Sequence, residues 1–333
     1  HTNILGNTLF GSLSGSSVAA SVAIGGVLIP MEEKEGYDKK FAAAVNIASA
    51  PTGLIIPPSG ILIIYPVLAG CSVVGMIMSG YIPGLMWALA CMVVAYVIAK
   101  KNHYPTAGKV PASVFFKYFV DAIPSLLLIV IIVGGVMSGI FTATESAAVA
   151  VAYTLFLSIV VYRSIKIKDL PKILLDACET TAVIMFLIAG SNVMSFVMSF
   201  TGLPSAIGNA LISVSSNKYV ILLIINLVLL VVGCFMDITP AVLIFTPIFL
   251  PVVQSFGMDP IHFGIMMVMN LGIGNITPPV GSSLFSGCSV ADMDMEDMIK
   301  PILPFYAAIF VALMLVAYVP WFSMALPTLF GAV

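Results

Sequence analysis

Long apolar runs broken by short polar or Gly/Pro-containing stretches dominate the chain, and no strict alternation of apolar and polar positions recurs. Residues 72–99, 119–141, 145–162, 180–200, 219–235, 238–253 and 301–330 are candidate bilayer crossings, some of them short or interrupted; a span takes roughly 20 apolar residues. Backbone in hydrocarbon must satisfy its own hydrogen bonds, so only helices and closed barrels cross a membrane. Continuous rather than alternating hydrophobicity selects helices. The expected class is an all-α polytopic membrane protein.

The polar interruptions repeat. Pro30 and Pro251, Gly36 and Gly257, Asp38 and Asp259, Gly53 and Gly274, Pro57 and Pro278, Pro58 and Pro279, and Gly60 and Gly281 all lie 221 apart. After a four-residue gap the offset becomes 217, and Gly70-Cys71-Ser72-Val73 returns as Gly287-Cys288-Ser289-Val290. A duplication explains one offset held over thirty residues. It divides the chain into a first half over 1–99, connecting and scaffold-type helices over 100–200, and a second half over 201–333. The two Pro-Pro stretches, APTGLIIPPSG at 50–60 and GIGNITPPVGS at 272–282, break helices expected over 41–66 and 260–285. Proline removes a donor and bars helix at the preceding residue.

Charge adds orientation. Lys and Arg cluster at 34–40, 100–117 and 163–172, whereas the loop at 252–260, the repeat-mate of 31–39, has none. Basic loops stay cytoplasmic, so the second half is expected to lie inverted. Inverted repeats with broken helices mark secondary transporters, whose ion and substrate sites form where helices unwind.

Composition removes most alternatives. Of 333 residues, 60% are hydrophobic and 8% charged, with a mean hydropathy of +1.14; soluble domains carry about 25% charge. The net charge of −2 gives no attraction for nucleic acid. Five scattered cysteines without a CxxC pair read as free, buried thiols. His103 reads as solvated and His262 as structural, and no transition-metal site is expected. The chain starts abruptly at His1 inside a hairpin-like motif, so part of the N-terminus is expected to be missing.

Three stretches could carry chemistry. GSLSGSSVA at 11–19 offers hydroxyls and carbonyls of the kind a hard cation prefers; a small-residue packing seam is the other reading. GCFMDITP at 233–240 occupies the corresponding repeat position, and its Asp237 is either functional, as an acid in a span, or a helix cap. Glu145 in GIFTATESAAVAV reads first as a capping residue. Two GxSx tetrapeptides, at 15–18 and 281–284, leave open an intramembrane serine hydrolase, with His262 as the one candidate base. A passive anion channel is the remaining alternative.

The stretches GSLSGSSVA, GYDKKFAAAVNIAS, GLIIPPS, GIFTATESAAVAV, MDITPAVLIFTPIFLPVV, DPIHFGIMMVMNLGIGNITPPVG and PILPFYAAIFVALMLVAYVPWFSMALP resemble the large membrane (M) subunit of tripartite ATP-independent periplasmic (TRAP) transporters, over residues from about 4 to 328. The sialic acid system is the nearest resemblance within that family. The resemblance implies no enzyme and no cofactor. It implies a multi-pass protein of the bacterial inner membrane that imports an organic acid with Na+ as coupling ion, through elevator-type movement and two re-entrant hairpins. It also implies a small membrane (Q) subunit and a periplasmic substrate-binding (P) protein. Carried over, Ser12, Ser14, Gly53, Ile56 and Pro58 surround one sodium, and Gly233, Asp237, Gly274, Thr277 and Pro279 the other. Ser16, Thr52, Ser59, Asn275, Ser282 and Ser283 are the substrate candidates, a hydroxyl-rich set that suits a sugar acid, with a C4-dicarboxylate next. The sequence departs from the family at Ala19-Ala20-Ser21, where many members carry an acid, and at TATE, where PTE is usual.

Overall fold

The structure, a computed structural model, describes residues 1–105, 111–137, 140–202, 206–207, 210 and 217–332. Among them there are helices and no strands, and six helices are long and apolar enough to cross a membrane. Their outward faces carry large apolar side chains in quantity, such as Phe186 and Phe200, 80% and 85% exposed. A soluble protein would not leave so much apolar surface open; lipid is the medium that fits it.

The chain forms two compact units, residues His1–Pro105 with Asn192–Val333, and residues Thr106–Ser191. The second unit contains α8 (Ala112–Met137), α9 (Ala143–Phe156) and most of α10 (Leu170–Thr201). Tyr153 donates to the Pro124 carbonyl at 2.8 Å and Ser146 to that of Ile132 at 2.9 Å, holding α8 and α9 as a hairpin. Thr142 and Glu145 form a reciprocal capping box at the start of α9. That accounts for Glu145 as a cap and removes it from the chemistry.

The first unit holds both repeat halves. The first half runs through α1 (Thr2–Ser14), α2 (Ser17–Lys34), α3 (Lys39–Ser49), α4 (Thr52–Ile55), α5 (Ile61–Ala69), α6 (Val73–Ser79) and α7 (Tyr81–Lys101). The second runs through α11 (Lys218–Phe235), α12 (Ile238–Ser255), α13 (Pro260–Gly274), α14 (Ser282–Val290), α15 (Met295–Tyr318) and α16 (Trp321–Leu329). Repeat-related residues do the same local work. Asp38 caps α3 through the Lys40 and Phe41 amides, and Asp259 caps α13 through the Ile261 amide at 2.8 Å. Both Pro-Pro bonds, Pro57-Pro58 and Pro278-Pro279, are cis.

The core is the pair of interrupted helices. Every residue of α13 from Ile261 to Gly274 is buried, as are Ala42–Ser49 of α3; helices apolar all round belong inside. Each is gripped by the first arm of its own hairpin, α1 against α4 and α11 against α13. The second arms cross to the other half, α2 lying on α14 and α12 on α5.

Two expected spans are interrupted. Residues 301–330 do not form one helix: it ends at Tyr318 and restarts at Trp321 after Val319 and Pro320, because proline cannot donate to the preceding turn. Residues 72–99 divide near Gly80, where a Cβ would lie 2.1 Å from the Ile55 carbonyl oxygen. The cysteines are all free, but only Cys91 and Cys288 are buried, and Cys178 is exposed on α10. An apolar sequence neighbourhood does not distinguish a core-facing position from an outward-facing one.

Candidate functional site

Both halves build the same contact between hairpin and broken helix. In the first, Gly11 of α1 meets Gly53 of α4 so closely that a Cβ on Gly53 would lie 2.4 Å from the Gly11 Cα. In the second, Gly233 of α11 meets Gly274 of α13, where a Cβ on Gly274 would lie 2.4 Å from the Gly233 carbonyl carbon. Only glycine allows such backbone approach. Beside each glycine pair, within two turns, lies a buried asparagine pair. Asn7 Nδ2 donates to Asn46 Oδ1 at 2.9 Å and to Ser49 Oγ at 2.9 Å. Asn270 Nδ2 donates to Asn226 Oδ1 at 2.7 Å.

At the first break, α1 ends at Gly15 in the left-handed region (φ 63°), and α2 starts from Ser16, whose side chain accepts from the Ala19 amide. Gly15 packs against the break: a Cβ there would lie 3.5 Å from the Pro58 carbonyl oxygen and from the Ser59 Cα. The fold thus brings Ser12, Ser14, Gly53, Ile56, Pro58 and Ser59 to one locality. Ser12 donates to the Leu9 carbonyl at 2.8 Å, and Thr52 to that of Ser49 at 2.7 Å. Ser14 is exposed, with contacts no shorter than 3.4 Å. Ser59 is 1% exposed and its hydroxyl has no partner. A buried hydroxyl normally has one, so Ser59 is available to a ligand.

At the second break, the Val280 and Gly281 amides donate to the Cys234 carbonyl at 3.2 and 3.4 Å, docking the Pro-Pro turn on the hairpin tip. Asp237 sits at the start of α12 without capping it; its Oδ1 accepts from Ser282 Oγ at 3.2 Å. The cap reading of Asp237 therefore fails, since its side chain bonds across to α14. Thr277 Oγ1 donates to the Ile273 carbonyl at 2.6 Å, and Pro279 is exposed beside it. Tyr306 of α15 donates to the Ile276 carbonyl.

The halves join at the N-termini of α2 and α14. Asn275 Nδ2 donates to Ser17 Oγ at 2.8 Å and to Ser283 Oγ at 3.0 Å, and Ser283 Oγ donates to Ser17 Oγ at 2.7 Å. Asn275 Oδ1 is also within reach of the Ser282 hydroxyl, whose single proton it shares with Asp237, placing this cluster beside Asp237. Ser17, Asn275 and Ser283 are each at most 2% exposed. Four of the six substrate candidates (Ser16, Asn275, Ser282 and Ser283) fall at or next to this junction, whereas Thr52 and Ser59 belong to the first break. Sequence reading missed Ser17 as a site residue, although it lies in the serine-rich motif. It also missed Tyr306 and the buried pairs Asn7–Asn46 and Asn226–Asn270, whose only signal is a lone amide in an apolar helix.

His262, the one base available to a hydrolase, is bonded to Ser323 Oγ at 2.5 Å and to the Ala317 carbonyl at 3.2 Å. Neither GxSx serine is its partner, and Ser323 is 1% exposed. His262 is structural. A helical membrane protein whose two hairpins close on two interrupted, hydroxyl-lined helices has the architecture of a secondary transporter. Residues 1–322 match the family described as tripartite ATP-independent periplasmic transporter, DctM component, and the chain belongs to it. It is 51% identical over 332 residues to the uncharacterized protein YgiK of Salmonella typhimurium, covering 99% of this chain and 76% of that one. It is 38% identical to the sialic acid TRAP transporter large permease SiaM of Vibrio cholerae, covering 99% and 77%. It is 37% identical to the C4-dicarboxylate TRAP transporter large permease DctM of Pseudomonas aeruginosa, covering 98% and 77%. The protein is accordingly a non-enzymatic inner-membrane permease of a family that carries organic acids by secondary transport and works with a small permease and a periplasmic binding protein.

Proposed function

We propose that this chain couples inward sodium movement to import of a small organic acid, with a sugar acid favoured over a C4-dicarboxylate. The substrate is handed over by a periplasmic binding protein and the chain is completed by a small Q subunit. The observation that carries the reading is the buried junction of Ser17, Asn275 and Ser283, where the N-termini of α2 and α14 meet. Two helix N-termini favour an anion without a buried cation, and the surrounding hydroxyls match a polyhydroxylated one. The flanking breaks supply hard oxygen ligands. One set is Ser12, Ser14 and the carbonyls near Gly53, Ile56 and Pro58; the other is Asp237, Thr277 and the carbonyls near Gly233, Gly274 and Pro279. In this reading the hairpins α1–α2 and α11–α12 are re-entrant and move with the broken helices as an elevator.

Uptake of labelled sialic acid into proteoliposomes holding the full-length permease and its small subunit tests this, with and without a sodium gradient and the binding protein. Uptake that needs both supports the whole reading. Uptake of a dicarboxylate alone removes the sugar acid and keeps the mechanism; transport indifferent to sodium leaves two broken helices with no ion role.

A further inference from the structure

The two halves differ at one repeat-related place. In the first, the loop before α3 is closed by its own chain: Tyr37 donates to the Pro105 carbonyl at 2.7 Å, and its ring lies 5.0 Å from that of Tyr104. A Cβ on Gly36 would meet Pro105 at 3.8 Å. In the second half, the equivalent Gly257 has nothing within 4 Å of a Cβ position, and Met258 stands where Tyr37 would. The space left is a cavity of about 240 Å³ between the start of α11, the α12–α13 loop and the α15–α16 break. On that measure a water needs about 10–15 Å³, so something much larger fits.

We propose that this cavity binds the headgroup of a phospholipid bearing a phosphate and a primary ammonium, such as phosphatidylethanolamine. Lys218 provides the cation for the phosphate; it sits 5.2 Å from the Tyr219 ring centroid. The one ion pair among the described residues is Lys40–Asp297, so neither Lys218 nor Asp259 is neutralised there. Asp259 Oδ1 caps α13, and its second oxygen has no described partner to compete with an ammonium. Tyr219 and Tyr318, 5.8 Å apart and edge-on, wall the cavity beside them. The cavity opens where two span-length helices end, α11 at its start and α15 at its finish, beside Trp321, which is 63% exposed. Tryptophan and tyrosine gather at that depth, the level of lipid headgroups.

The test is native mass spectrometry of the full permease with equimolar phosphatidylethanolamine and phosphatidylcholine, whose trimethylated ammonium cannot donate hydrogen bonds. The wild type should retain the primary-amine lipid about fivefold over the other. Asp259→Asn, which keeps an N-cap side chain but removes the carboxylate, should abolish that preference; Lys218→Ala should weaken retention of both lipids alike, Lys218→Arg should preserve it, and Lys300→Ala should change neither. Met258→Trp should abolish retention of both by filling the space while Lys218 remains. Equal retention by the wild type, a preference that survives Asp259→Asn, or retention of both lipids undiminished by Lys218→Ala and by Met258→Trp, overturns the assignment. So does stronger, Lys218-dependent retention of phosphatidylglycerol, because a bare anion would then suffice.

Discussion

Replacing Gly274 by alanine tests the pseudo-symmetric closure directly. The added methyl would lie 2.4 Å from the Gly233 carbonyl carbon, 2.5 Å from its Cα and 2.9 Å from its oxygen. Carbon atoms in contact settle at about 3.5–4.0 Å, so α11 and α13 must part by roughly 1 Å. Backbone on both sides leaves no flexible side chain to yield, and overpacking of this kind costs about 1–3 kcal/mol. The same substitution at Gly53, with the Gly11 Cα at 2.4 Å, should cost as much. Gly233→Ala should cost less, because its nearest atom is 3.1 Å away. Gly190, inside α10 with nothing within 4 Å, should gain about 1 kcal/mol as alanine from helix propensity alone. Thermal unfolding of the detergent-purified variants orders them. Gly274→Ala and Gly53→Ala should lose several degrees of Tm, at about 2–4 °C per kcal/mol, and Gly190→Ala should rise. A Gly274→Ala protein as stable as the wild type would falsify the close backbone contact.

Asn7→Ala should destabilise by about 1–3 kcal/mol in the same assay, because it strips the donor from buried Asn46 and Ser49. Asn270→Ala should do likewise through Asn226. Ser14→Ala and Thr277→Ala should each raise the sodium concentration needed for half-maximal uptake; unchanged sodium activation in both variants removes those residues from the ion sites. Asp237→Asn should leave Tm within about 0.5 kcal/mol equivalent, as expected for an exposed group that caps no helix, while impairing uptake. Wild-type uptake by that variant would leave Asp237 without a functional role.

The breaks were legible because Pro-Pro is a covalent fact: two missing donors stop a helix in any environment, and the repeat offset reads the same at Pro57 and Pro278. The repeat offset paired Asp38 with Asp259, but that both cap the helices after them is seen only in the structure. What could not be read is pairing over distance. Asn7 reaches Asn46, 39 residues away, and Ser17 reaches Ser283, 266 residues away. Nothing in a lone amide or hydroxyl on an apolar helix names its partner. Orientation within a helix was equally hidden. In lipid both faces of a helix can be apolar, so the pattern that separates inside from outside in a soluble helix is lost, and Cys178 reads like Cys91. The break at Val319–Pro320 was missed because one proline inside a long apolar run often only kinks it.

The absence of lysine, arginine or histidine from the described hydrogen-bond network of the junction has a consequence for coupling. A substrate carboxylate entering this buried region loses its hydration, a cost that an unpaired charge cannot escape in a low-dielectric interior. The α2 and α14 N-termini offset part of it, at about 0.3–1 kcal/mol for each end and up to about 2 when partly buried. On the proposed reading the rest comes from cations at the flanking breaks. The same backbone carries both: Asn275, which holds Ser17 and Ser283, is two residues from Thr277, and shares the Ser282 hydroxyl proton with Asp237. Ion and acid then stabilise one arrangement, and linkage makes the effect reciprocal. Saturating sodium should tighten substrate binding by about 5–150-fold, and saturating substrate should tighten sodium by the same factor. Calorimetry on the purified complex at several sodium concentrations measures both. A substrate affinity that does not change between sodium-free and saturating conditions refutes the coupling, since a neutral, hydroxyl-lined site would then be holding the anion with the helix termini alone.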